Sequence, residues 1–147
     1  MRDGDLEIYT MNLDGRHVKR LTQELGYDGG AFFSPDSSRI VYRAQYPKTP
    51  EEIEAYKSLL KENLVEPGQL EIYVMNADGT GKRPVTRNGA SNFAPFFHPD
   101  GRRIIFSSDV HDKTGASDPP RRPTFHLYLI GDDGQALERI TARGSFN

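Results

Sequence analysis

A ten-residue stretch occurs twice in this chain and governs what it can fold into. Leu6-Glu7-Ile8-Tyr9-Thr10-Met11-Asn12-Leu13-Asp14-Gly15 returns 64 residues later as Leu70-Glu71-Ile72-Tyr73-Val74-Met75-Asn76-Ala77-Asp78-Gly79. The same offset carries Leu21-Thr22 onto Val85-Thr86, Phe32-Phe33-Ser34-Pro35-Asp36 onto Phe96-Phe97-His98-Pro99-Asp100, and Ile40-Val41-Tyr42 onto Ile104-Ile105-Phe106. A looser third copy follows, from Phe125-His126-Leu127-Tyr128 through Asp133-Gly134 to Ile140-Thr141. A period of this kind marks a fold of stacked supersecondary units, none of which can bury its apolar face alone.

Each unit carries four strand signals. The first strand runs into Phe32-Phe33 and closes at Ser34-Pro35-Asp36-Ser37, where proline presets φ for a tight turn. The second, Arg39 to Arg43, alternates around Ile40 and Tyr42. The third, Leu70 to Asn76, puts Ile72 and Val74 on one face and Tyr73 and Met75 on the other. Asp78-Gly79 turns the chain into the fourth, which ends at Val85-Thr86. Radial stacking of such four-stranded sheets gives a propeller. The expected fold is therefore all-β: a β-propeller fragment of four-stranded antiparallel blades, with one short helix in an inserted loop. A single partial propeller domain is expected over 1–147, with repeat units at about 5–43, 69–107 and 124–147 and insertions at 44–68 and 109–123.

The run Asp3-Gly4, Glu7-Ile8-Tyr9, Met11-Asn12, Asp14-Gly15, Leu21-Thr22, Phe33-Ser34-Pro35-Asp36, Ile40-Val41-Tyr42 resembles the repeat of the TolB-like (WD40-like, PD40) propellers. The resemblance covers nearly the whole chain outside the two insertions. It departs at Ser37, where that family usually has glycine, at His98, where serine is expected, and at Gly131, where the other copies have asparagine. It implies a periplasmic or otherwise extracytoplasmic ring without catalytic residues of its own, working in the bacterial cell envelope by binding protein partners. Related propellers are also non-catalytic domains of exported hydrolases such as S9-type, prolyl-oligopeptidase-like peptidases, and that alternative stays open.

Counted in order, the chain supplies ten strands, or two and a half blades. Closed propellers run to about 4–8 blades. The count predicts a fragment of a longer product, with Met1 internal or engineered, or else a homo-oligomer that pairs the bare sheets.

Both large insertions link the second strand of a unit to the third, so elaboration is confined to one face, where binding loops on a rigid scaffold are expected. In the first, Thr49, Pro50 and Glu52 form a capping box ahead of a helix, with Ile53, Tyr56, Leu60 and Leu64 on one side and Pro67-Gly68 as its stop. This helix either covers the rim of its own blade or forms part of a partner groove. The second insertion carries Arg121 and Arg122 within Asp118-Pro119-Pro120-Arg121-Arg122-Pro123, able to grip an anionic group or to sit in a solvated loop. Asp28, Asn92 and Asn147 share one register just ahead of the innermost strand. They are candidates for a polar collar at the channel mouth, although such side chains also bond turn backbone. The candidate binding residues are thus Asp28, Tyr56, Asn92, Arg121, Arg122 and Asn147.

Other chemistries lack their signatures. There is no cysteine, no Gly-x-Ser-x-Gly elbow, no His-Glu-x-x-His pair and no phosphate-cradling glycine loop. Asp109, His111 and Asp112 form a local cluster of potential ligands, but the expectation is no metal and no cofactor. A net charge of −2, with both signs interspersed, argues against nucleic acid, and no apolar run is long enough to span a membrane. The expected partner is a protein or peptide docking on the face that carries the insertions.

Overall fold

The computed structural model describes residues 5–66, 68–111 and 123–142. Ten strands and one helix follow in order among them: β1 (Tyr9–Thr10), β2 (Lys19–Arg20), β3 (Tyr27–Phe33), β4 (Arg39–Gln45), α1 (Pro50–Lys61), β5 (Glu71–Asn76), β6 (Arg83–Pro84), β7 (Asn92–Phe97), β8 (Arg103–Ser108), β9 (His126–Gly131) and β10 (Glu138–Arg139). They form a two-stranded sheet β1-β2 and two four-stranded sheets, β3-β4-β5-β6 and β7-β8-β9-β10, with every pairing antiparallel. This is the meander that the repeat predicts, two whole blades preceded by a half blade.

The alternation in β5 explains why the blades stack. Ile72 and Val74, with Val41 and Val85, meet Phe97, Ile104, Phe106, Tyr128 and Ile130 of the next sheet in one buried cluster. Met75 faces the other way, with Ile40, Tyr42 and Ala44, against Ile8 and Leu21 of the half blade. The sheet β3-β4-β5-β6 thus loses both faces to its neighbours, and hydrophobic burial drives that stacking. Polar clasps reinforce it on the face of the tight turns: Arg39 bonds the Asp132 carboxylate and the Gly101 carbonyl, and its guanidinium lies 5.1 Å from the Phe97 ring centre.

The repeated residues do the same work in each copy. The hydroxyls of Thr22, Thr86 and Thr141 accept the backbone N–H groups of Ile8, Ile72 and Leu127 at 2.8, 2.8 and 3.0 Å. Fourth strands of two residues can therefore hold the third strand beyond the point where ladder pairing ends. In the turns after β1, β5 and β9, Asp14, Asp78 and Asp133 accept the N–H two residues on, and Gly15, Gly79 and Gly134 take φ of 79°, 90° and 83°. Glycine adopts that left-handed backbone without the Cβ penalty.

The helix begins as expected: Thr49 caps Glu52 N–H, and the Glu52 carboxylate returns a bond to Thr49 N–H. It ends sooner. Asn63 takes φ 57°, its N–H reaches Leu60 O, and Leu64 N–H reaches Leu59 O. That pair of bonds is a Schellman stop with asparagine in the left-handed position. Leu64 therefore lies past the helix and is 52% exposed, so the expected four-residue apolar face is one residue short. No residue of α1 is fully buried.

Candidate functional site

Because α1 does not seat fully on its blade, a cleft of about 390 Å³ remains beneath it. One wall is the end of β4 and the link beyond it, Ala44 to Lys48. A second is α1 itself, through Glu52, Ala55, Tyr56 and Leu59. The third is the return into β5, through Glu66, Gly68, Gln69, Glu71 and Tyr73. The cleft opens on the face that carries the insertions. Its volume falls at the lower end of the range that accommodates small ligands or single side chains.

Tyrosines dominate its interior. Tyr73 stacks on Tyr42 with ring centres 5.6 Å apart and meets Tyr46 edge-on at 5.5 Å. Tyr46 donates its hydroxyl proton to Asp28 Oδ1 at 2.7 Å, and Tyr56 donates to Asp5 Oδ1 at 2.6 Å. Asp5 also accepts from Leu6 N–H and, through Oδ2, from Gly26 N–H at 3.0 Å. It thereby ties α1 to the half blade. Burial pushes both phenols well above their ordinary range, reinforced by the carboxylate each one bonds.

The carboxylates behind the tyrosines are sequestered. Asp28 is 4% exposed. Its carboxyl is pushed up to about 7, first by burial and then by the charges of Glu7 and Glu24, against the lowering effect of the Tyr46 hydroxyl. The Glu7 side chain is 1% exposed and pairs with Arg20 through Oε1. Asp28 Oδ2 and Glu7 Oε2 have no hydrogen-bond partner among the described residues.

Of the residues singled out in the sequence, Asp28 and Tyr56 come to this one site, Asp28 through Tyr46 and Tyr56 directly. Asn92 keeps the register of Asp28: its N–H bonds Leu70 O as Asp28 N–H bonds Leu6 O. Its side chain is committed, however. The residue is 0% exposed, and Nδ2 donates to Leu70 O at 2.6 Å and to Asn88 Oδ1 at 3.0 Å. Arg121, Arg122 and Asn147 lie outside the described residues. Asp109 caps Ser91 N–H, His111 bonds and stacks on Tyr128, and Asp112 lies outside the described residues.

Sequence reading missed Asp5, Glu7, Tyr46 and Tyr73. Asp5 and Glu7 stand inside the repeat and read there as turn and strand residues. Tyr46 follows the last strand residue and carries no local signal at all.

No family model matches this chain. An uncharacterized protein of Agrobacterium fabrum is 25% identical over 140 residues, which is 95% of this chain and 40% of that one. Among solved structures, a TolB-type protein of Agrobacterium tumefaciens superposes with a TM-score of 0.64 at 23% identity, over 92% of this chain and 40% of its own. The fold is that of a partial TolB-like propeller. TolB of Acinetobacter baumannii gives 0.61 at 17% identity, over 96% of this chain and 28% of its own. A puromycin-hydrolyzing peptidase of Mycobacterium tuberculosis gives 0.63 at 16%, over 93% and 18%. This chain therefore spans well under half the length of each of these proteins. Among the described residues, no helix is long and apolar enough to cross a membrane.

Proposed function

We propose that this chain is a non-enzymatic, protein-binding part of a bacterial cell-envelope propeller, and that it makes contact through the face carrying α1. The observation that carries this reading is the cleft under α1. The two structured turns of the opposite face after β3 and β7 are tight, closed on themselves through Asp36 and Asp100. The α1 face offers an open, tyrosine-lined recess on a TolB-like fold. Extracytoplasmic location belongs to the same proposal and is supported by that likeness alone.

A photo-crosslinking amino acid placed at Ala55 in the full-length gene product, expressed in its own cells, tests it. Ala55 lines the cleft. The expected result is a discrete adduct at Ala55 and none when the same group replaces Gln135, on the tight-turn face. Adducts at Gln135 alone would reverse the assignment.

The likeness to the peptidase supports a second reading, in which the ring belongs to a larger exported hydrolase and steers substrate to chemistry carried elsewhere. A Gly-x-Ser-x-Gly elbow in the same open reading frame would favour it.

A further inference from the structure

We propose that the cleft under α1 receives a lysine or arginine side chain of an extended partner segment. This rests on the α1 face being the contact surface. Four observations bear on it. The first is the direction of the hydroxyl protons. Tyr46 and Tyr56 both spend their single proton inward, on Asp28 and Asp5, so their oxygens can only accept from anything entering the cleft. The second is the lining charge: Glu52, Glu66 and Glu71 against Lys48. Glu71 is already engaged by Thr86, Asn88 and Gly89, and Glu52 Oε2 by the start of the helix, which leaves Glu66 as the anion without a partner among the described residues.

The third is the buried charge behind the rings. Asp28 and Glu7 each keep one carboxylate oxygen without a partner among the described residues, and both are more than nine-tenths buried. The Asp28 carboxylate, charged above about pH 7, creates a negative potential behind Tyr46 that water screens poorly, while Arg20 offsets much of the Glu7 charge. The fourth is the aromatic wall itself. A cation against tyrosine rings gains from their quadrupole while its alkyl stem covers apolar surface. An anionic occupant gains none of the electrostatic terms, and a purely apolar one gains only the covering of apolar surface. The donors already present are Lys48 and the amides of Gln45 and Gln69, so an ammonium or guanidinium group supplies what the lining mostly lacks.

The test uses the full 147-residue chain and two capped peptides, tri-lysine amide and tri-glutamate amide, titrated by NMR at about 20 mM salt, where surface charge is little screened. Tri-lysine is expected to bind with Kd near or below about 1 mM, shifting resonances within 44–73, while tri-glutamate does not bind. Two exposed substitutions sharpen the result without touching the core. Glu66→Gln should weaken tri-lysine binding by about two- to fivefold, and Lys48→Gln should tighten it by about twofold, the range of single exposed charge pairs. Equal binding of both peptides, shifts spread over the molecule, or no response to either substitution would overturn the assignment. A crosslink at Ala55 with no tri-lysine binding removes the cationic occupant and keeps the contact face. Tri-lysine binding with a crosslink only at Gln135 removes the partner role of this face.

Discussion

The blade β3–β6 and the blade β7–β10 are built from one pattern 64 residues apart, and they differ at a residue near the start of the first strand of each. In the second blade Asn92 is sealed in, with its amide donated to Leu70 O. In the first, Asp28 holds the same place beside Leu6 O, but a carboxylate has no proton to donate there. The first blade also carries α1 and the tyrosine-lined cleft, and its buried carboxyl accepts the Tyr46 hydroxyl instead. One scaffold position is a staple in one blade and, in the other, a buried carboxyl that holds a cleft tyrosine from behind. The repeat tolerates both because the backbone bond to the leucine carbonyl is the same in each.

Exchanging the two residues is the strongest way to break this comparison. Asn92→Asp would place a carboxylate beside the carbonyls of Leu70 and Ala90 and the Asn88 amide oxygen, all of which now accept from the Asn92 amide. We expect it to cost about 3–5 kcal/mol at pH 8, the scale of an uncompensated buried charge. The loss should shrink as the medium is acidified and the carboxyl regains a proton. The reverse change, Asp28→Asn, should stabilise. With the carboxyl near 7 in the folded chain and about 3.9 unfolded, the folded state holds an extra proton between those values, so stability falls as pH rises through that window and is level above it. Asparagine removes the dependence. The expected gain is about 2–4 kcal/mol at pH 8 and close to nothing at pH 3. Denaturant unfolding of wild type and variant across that pH range measures it, and a gain that does not depend on pH would disprove the buried-charge account.

The architecture was legible because it is written in local chemistry that repeats. Asp-Gly turns, the Ser-Pro-Asp turn, the Leu-Thr pair and the alternation in Leu70 to Asn76 each specify their own geometry, and the copies confirm one another. The same holds for the start of α1, where capping is decided by Thr49 and Glu52 alone. Its end was misplaced because Asn63, not the later proline, adopts the left-handed stop. The site was only half legible. Asp28 and Tyr56 stood out by register and by helical face. Their partners Tyr46 and Asp5 are 18 and 51 residues away in sequence; the first distance is closed by the pairing of β3 with β4 and the second by the packing of this blade against the half blade. Nothing at Tyr46 announces that it will point at a carboxylate across the sheet.

The threonine of the Leu-Thr pair offers a middle-sized effect. Thr86→Ala leaves the buried N–H of Ile72 without its acceptor, and Thr141→Ala does the same to Leu127, which is only partly buried. An unsatisfied buried donor costs about 1–3 kcal/mol, and a partly wet one less. Thr86→Ala should therefore lower stability by about 1–2 kcal/mol and Thr141→Ala by about half that. Faster hydrogen exchange at Ile72 than at neighbouring β5 amides would be the direct signature. Equal costs in the two copies would mean that the hydroxyl contributes through packing rather than through the bond.

The smallest effect concerns the turn between the first two strands of each blade. Ser37 takes φ 59° where Gly101 takes 68°, and both close the turn by donating N–H to the residue three before, Ser34 and His98. The left-handed backbone costs a residue with a Cβ about 1–2 kcal/mol, while glycine gives back about 0.5–1 kcal/mol in chain entropy. Ser37→Gly should thus raise stability by about 0.5–1 kcal/mol, and Gly101→Ser should lower it by a similar amount. No steric term complicates the second change, since a Cβ at Gly101 meets nothing within 4 Å. The neighbouring serines organise the turn, because Asp36 gathers bonds from Ser34 and Ser38 that hold its carboxyl down at about 2. That network leaves Ser37 itself out. If Ser37→Gly nevertheless destabilised the protein, the turn would depend on the serine for something other than its backbone angle, and the equivalence of the two blades would fail at this corner.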